Sequence, residues 1–170
     1  MNSPILFSEK QHFKQWWLWL ILLAVNGFIL FGIVWQVVLG NTFGDKPIGN
    51  TELLILGGVI VAITLLMLLS KLETKISIDG IAVRFFPLHF KFRHFSWDEL
   101  ANAYVRQYSP LGEYGGWGLR YSISGHGKAY NVSGKQGLQL EFTNGKKLLI
   151  GTKKADELRD VLNTLKVTKP

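Results

Sequence analysis

Two unbroken apolar runs, Trp16–Leu39 and Leu53–Leu69, stand before a C-terminal stretch in which apolar and polar positions alternate. Neither run carries a formal charge. Wound as helices at about 1.5 Å per residue, they reach about 36 Å and about 26 Å. A bilayer core is about 30 Å thick, so the first crosses with some tilt and the second just crosses. The pattern predicts a transmembrane hairpin over 16–70, with spans at about 16–39 and 53–69. A short N-terminal segment, 1–15, precedes it and a β-rich domain, 71–170, follows. A cleaved signal peptide is the competing reading of the first run. That run exceeds the usual ~7–15 apolar residues, and no A-x-A-like site follows it.

From Thr74 the period becomes two. Lys75–Ile78 and Ile81–Phe86 flank Asp79-Gly80, a pair that predicts a hairpin turn with positive φ at both central residues. Leu88–Arg93 reads as a third strand. Ser96–Leu100 reads as a tight turn whose Trp97 and Leu100 cap the core, and Ala101–Tyr108 as a fourth strand. Ser109–Gly116 reads as a flexible stretch. Further strands are expected at Trp117–Ile123, Ala129–Val132, Gly137–Thr143 and Lys146–Ile150, with Asn144-Gly145 as a second hairpin turn. Thr152 is placed to cap a last helix, in which Ala155, Leu158, Val161, Leu162 and Leu165 recur at helical spacing. Seven or eight antiparallel strands closed by one amphipathic helix predict an antiparallel β-barrel or orthogonal sandwich.

Within the hairpin, Asn26 lies near the middle of the first helix, where an unpaired amide is costly. It sits at about the depth of Thr64 on the second. The two are expected to hydrogen-bond across the hairpin, or Asn26 to pair with its counterpart in a second copy. Gly58 and Ala62 form a small-xxx-small pair suited to close helix approach. Trp16, Trp17, Trp19 and Trp35 fall near the expected membrane interfaces.

Composition narrows the chemistry. The chain has no cysteine, which excludes disulfides, thiolate metal sites and thiol catalysis. Its formal net charge is +7. Up to Glu52, Lys10, Lys14 and Lys46 balance Glu9, Asp45 and Glu52, so the whole excess follows the second apolar run. Lysines flank the hairpin on its terminal side, at 10, 14, 71 and 75, against Lys46 alone in the loop between. The positive-inside rule then predicts a two-pass protein with both termini cytoplasmic and the connecting loop facing outward.

The strand order, with Ile78-Asp79-Gly80-Ile81, Phe95–Leu100, Tyr114–Arg120, Tyr130–Gly134 and Asn144–Thr152, resembles the pleckstrin-homology-like fold. More specifically, the chain resembles the bacterial PH-domain membrane proteins, in which two transmembrane helices precede such a domain. The resemblance covers about Thr74–Leu165 and implies a PH-like barrel or sandwich capped by one C-terminal helix. Phosphoinositide-binding PH domains grip phosphates with basic residues in the loop joining their first two strands. Here that loop is Asp79-Gly80, short and acidic, so no specific phosphoinositide is expected.

No catalytic, metal or cofactor site is expected. His12, His89, His94 and His126 have no i,i+4 partner or H-E-x-x-H-like spacing, and no Gly-x-Ser-x-Gly elbow or phosphate loop occurs. A pI near 9.7 permits nucleic-acid binding, but no motif accompanies it. The expected partner-binding residues are Tyr114, Trp117 and Arg120, types enriched at binding hot spots in a glycine-rich segment, together with His126 in an expected exposed loop. The bland alternative packs Trp117 in the core and pairs Arg120 with Glu141. Lys71, Lys75, Lys128, Lys135, Lys153 and Lys154 are candidates for an anionic surface, the last four converging with Arg120. The expectation is a non-enzymatic membrane protein displaying its β domain to a protein partner or a second copy. Electrostatic sensing of anionic headgroups, and an accessory role in a transport complex, are the alternatives.

Overall fold

The computed structural model describes residues 3–122 and 125–167. The chain divides into two compact units, Lys14–Leu69 and a second formed by Met1–Phe13 together with Ser70–Pro170.

In the first unit, α1 (Trp16–Ile33) runs on through a π-helical turn, Val34–Val38, and α2 (Asn50–Leu69) returns. Both are long and apolar enough to cross a membrane. On each helix a stripe of buried and half-buried positions recurs at alternating spacings of three and four. They are Leu22, Asn26, Ile29, Ile33 and Gln36 on one side, and Leu53, Gly57, Ile60, Thr64 and Met67 on the other. That spacing is the seam of two helices packed at a shallow angle. Asn26 Nδ2 donates to Thr64 Oγ1 at 2.9 Å and to Leu22 O at 2.7 Å, so the amide is satisfied within the hairpin. The close approach falls at Gly57, where a Cβ would lie 2.8 Å from Ile33 Cδ1, and not at Gly58, which has nothing within 4 Å. Gly58 and Ala62 are exposed because each lies off the seam, and one residue turns a helix by about 100°. Gln36, buried at the far end, donates to Ile48 O at 2.7 Å and Asn50 Oδ1 at 2.9 Å, tying down the connecting loop.

The second unit has a helix-plus-β-sandwich organisation, with nine strands among the described residues rather than the expected seven or eight. One sheet has the order β1-β2-β3-β4, from Ile5–His12, Lys71–Ser77, Gly80–Phe86 and Arg93–Ser96. The other has the order β5-β8-β9-β7-β6. Its strands are β5 (Leu100–Gln107), β6 (Gly118–Tyr121), β7 (Lys128–Asn131), β8 (Gln136–Phe142) and β9 (Lys147–Gly151). Strands β7 and β9 are parallel, against the all-antiparallel expectation. Residue 123, the end of the expected Trp117–Ile123 strand, lies outside the described residues.

The largest departure is at the N-terminus. Ile5–His12 is not part of a separate N-terminal segment, because it pairs antiparallel with Lys71–Ser77 as an edge strand of the domain. Its inward side chains are Phe7, Glu9 and Gln11, all buried. Glu9 accepts from Thr152 Oγ1 at 2.6 Å and Lys153 N at 2.9 Å, and Gln11 Nε2 donates to Gly151 O at 2.7 Å. Thr152 therefore serves β1, and also accepts Lys154 N–H, ahead of the C-terminal helix α4 (Ala155–Val167).

Two turns also differ. Neither Asp79 nor Asn144 has positive φ. Ser77 pairs with Gly80, so Ile78 and Asp79 are the central residues of the first turn. Gly80 is required by β4 instead, since a Cβ there would lie 2.2 Å from Phe95 O. The second is a longer loop in which Gly145, at φ 78°, donates to Phe142 O. Leu88–Arg93 is not a strand. Pro87 has no N–H for the ladder, and pairing resumes only at Arg93. Trp97 and Leu100 are half-buried around a 3₁₀ turn, Trp97–Glu99, that carries a capping box from Ser96 and Glu99. The expected flexible stretch holds a short helix, α3 (Pro110–Tyr114), capped by Ser109.

The core joins Leu72, Ile76, Ile81, Val83 and Phe85 to Leu138, Leu140, Ile150, Leu158 and Leu162. Tyr108, Tyr114, Ala129 and Leu149 make a separate cluster.

Candidate functional site

The short strand β4, the β6–β7 hairpin and the β8–β9 turn leave a cleft of about 700 Å³ in the β domain. This lies within the range of about 300–1,000 Å³ typical of ligand sites. A groove between β5 and α4 measures only about 200 Å³.

The floor of the cleft is aromatic. Tyr130 on β7 is buried, with its ring against Phe85 and His89. Its hydroxyl accepts from Arg93 Nη1 at 3.0 Å, which fixes the guanidinium at the β4 rim. Phe95 meets Phe142 edge-on at 5.2 Å. Lys128 lies 5.0 Å over the exposed ring of Tyr121.

The electrostatics are one-sided. Arg93, Lys128, Lys146 and Lys147 line the cleft with His94, against a single carboxylate, Glu99, among the described lining residues. Glu99 already accepts from Ser96 N–H at 3.2 Å. Lys147 is 3.3 Å from Glu141, whereas Lys128 and Lys146 have no carboxylate partner among the described residues. Burial, and then the charges of Arg93 and Lys128, hold the neighbouring His89 below the ordinary imidazole range. A cleft of this kind attracts an anionic group and offers aromatic surface beside it.

The expected partner-binding residues fall elsewhere. Tyr114 is buried, its hydroxyl accepting from Arg106 Nη2 at 3.3 Å and donating to His126 O at 3.2 Å, so it cannot meet a partner. His126 meets Tyr114 edge-on at 6.3 Å, with Nδ1 3.4 Å from Ser122 Oγ and Nε2 3.9 Å from Glu113. Arg106 also grips Glu113 at 2.6 and 3.2 Å, making a clamp that holds α3 on β5. Trp117 is half-buried rather than in the core, and its indole donates to Gly134 O. Arg120 is exposed and donates to Trp117 O at 3.0 Å, not to Glu141. Glu141 lies on β8, three strands from β6, and takes Asn102, Tyr104 and Lys147.

The six lysines do not converge. Lys71 and Lys75 share the outer face of the first sheet, over Phe86 and Phe92. Lys128 belongs to the cleft. Lys153 and Lys154 follow the opposite end of the parallel pair β7 and β9, with Lys154 bound to Glu157 at 2.8 Å. Lys135, in the β7–β8 connection, also sits towards that opposite end. Sequence reasoning missed Arg93, His94, Tyr121, Tyr130, Lys146 and Lys147. The basic-aromatic run Phe90–Phe95 and Asn144–Lys147 carried the signal, but it was absorbed into strand and turn assignments.

No protein-family model matches the chain, and no curated protein or solved structure matches it. Among the described residues, no three His, Asp or Glu side chains stand close enough to share a metal ion.

Proposed function

We propose that this chain is a two-pass protein of the bacterial inner membrane. In this reading it presents a pleckstrin-homology-like domain to the cytoplasm and binds an acidic segment of a protein partner there, without catalysing a reaction. The observation that carries the proposal is the cleft, in which four lysine or arginine side chains and exposed Tyr121 surround one engaged carboxylate. Association through such a surface is steered by charge and weakened by salt. The lysine bias around the hairpin supports the cytoplasmic assignment. The pairing of Ile5–His12 with Lys71–Ser77 supports a common side for both termini, because paired strands cannot lie across a bilayer from each other.

A photo-crosslinking residue at Tyr121, in the full chain in native membranes, tests the reading. A discrete protein adduct is expected, lost in a Lys128→Glu/Lys146→Glu background and absent when the probe replaces Ile78. Adducts with lipid alone, or the same adducts from both positions, would refute it.

A further inference from the structure

A different part of the β domain combines exposed apolar side chains with cations. After Phe86 the chain turns through Pro87–Phe92 before re-entering the sheet at Arg93. Leu88 is 53% exposed and Phe90 74%, two large apolar side chains largely open to solvent. Around them the outer face of the first sheet alternates rings and positive charge. Lys71 lies 5.1 Å over Phe86, and Phe92 is held between Lys75 at 4.9 Å and Arg84 at 4.6 Å. Phe90 packs edge-on against Phe86 at 5.8 Å. Lys91 adds a further cation between the two loop phenylalanines. Glu73 is the carboxylate on this face, and Arg84, Lys71 and Lys10 already surround it. Those contacts outweigh burial and keep its pKa below the ordinary value.

The end of the sheet that bears this loop has a defined relation to the rest of the sequence. His12 pairs with Lys71, and Lys71 with Phe86. The chain therefore leaves the sheet for α1 and returns from α2 at the same end from which the loop projects. Isolated apolar side chains on a surface need no explanation, but two on one loop, ringed by basic groups at the end where the chain leaves and re-enters the sheet, do.

We propose that Pro87–Phe92 is a lipid-contact loop: Leu88 and Phe90 enter the interfacial zone of the anionic leaflet, while Lys71, Lys75, Arg84 and Lys91 lie against its headgroup phosphates. Leucine and phenylalanine gain by leaving water at the acyl boundary, and long basic side chains reach the headgroups above it. The occupant is a bilayer rather than a protein because the cations match an anionic leaflet and the loop shares its end with the chain's exits toward the spans. The inference rests on the membrane reading but not on the cleft, so the two stand or fall separately.

The full-length chain contains no cysteine, so a single Phe90→Cys can carry an NBD fluorophore, with Ile78→Cys as comparison. Ile78 is similarly apolar and 55% exposed, but lies in the turn at the other end of β2, about 20 Å away at ~3.3 Å per residue. The protein is placed in nanodiscs of phosphatidylcholine, with or without phosphatidylglycerol and doxyl-labelled lipid. The Phe90 probe is expected to shift to the blue and be quenched by doxyl lipid in the anionic discs, with the Ile78 probe remaining water-like. Adding Lys75→Glu and Lys91→Glu, or high salt, abolishes the quenching. An unquenched Phe90 probe, equal quenching in neutral discs, or a blue shift without quenching (burial against protein) would each overturn the proposal.

Discussion

Glu113 illustrates how a single residue acquires its role. In sequence it is one carboxylate in a glycine-rich stretch. In the fold it receives Arg106 through both oxygens and the Ser109 N–H at 2.8 Å. The Arg106 hydrogen bond leads in lowering its pKa below the ordinary 4.5, against some burial. A carboxylate whose folded pKa is depressed stabilises the protein fully above its unfolded value, and that contribution fades as pH falls through the folded value. Glu113→Gln should therefore cost about 1.5–3 kcal/mol near neutral pH, the range for hydrogen bonds to charged groups. It should also flatten the acid limb of stability below about pH 4.5. Urea unfolding of the solubilised full chain at pH 7 and pH 4 measures both, and parallel losses for variant and parent would exclude this role.

At the scale of elements, the helix seam and the first strand give opposite lessons. Equal depth in two apolar runs put Thr64 forward as a partner for Asn26, beside a second copy, and the hairpin joins the two. Close approach was misassigned by one residue, because two adjacent glycines look alike until the helix phase is known. Gly57→Leu should disrupt the seam by about 1–3 kcal/mol, the usual cost of overpacking, whereas Gly58→Leu should be tolerated. Thermal unfolding of the two variants in one detergent decides between them, and equal midpoints would reject the seam described above. The strand Ile5–His12 was illegible for a different reason. Its inward positions after Phe7 are Glu9 and Gln11, so no apolar alternation marks it. Their burial is made possible by donors and acceptors at Gly151, Thr152 and Lys153, some 140 residues away along the chain.

For the whole molecule, that strand has a topological consequence. It pairs the segment before the hairpin with the segment after it, so a membrane crossed by α1 and α2 must have both on one side. With cysteine introduced singly, a membrane-impermeant maleimide should label Lys10→Cys and Asn163→Cys from one face of sealed vesicles. It should label Asp45→Cys only from the other. Labelling of Lys10→Cys and Asn163→Cys from opposite faces would contradict the pairing. The basic charge is likewise distributed by the fold rather than by the chain order. Lys71 and Lys75 join the phenylalanines of one sheet face, Lys128 and Lys146 the cleft, and Lys154 a local pair with Glu157.

What the sequence determined by itself is what depends on local composition and period. This covers two charge-free apolar runs of membrane-crossing length, a change to alternating strands near Thr74, most strand positions after Leu100, and an amphipathic last helix. Only the tertiary structure decided which polar groups could be buried, because a buried Glu9, Gln11 or Gln36 needs partners brought from distant segments. It also decided the candidate cleft. Arg93, Tyr121, Lys128 and Lys146 come from separate strands and turns, and their common potential exists only once the two sheets place them around one space.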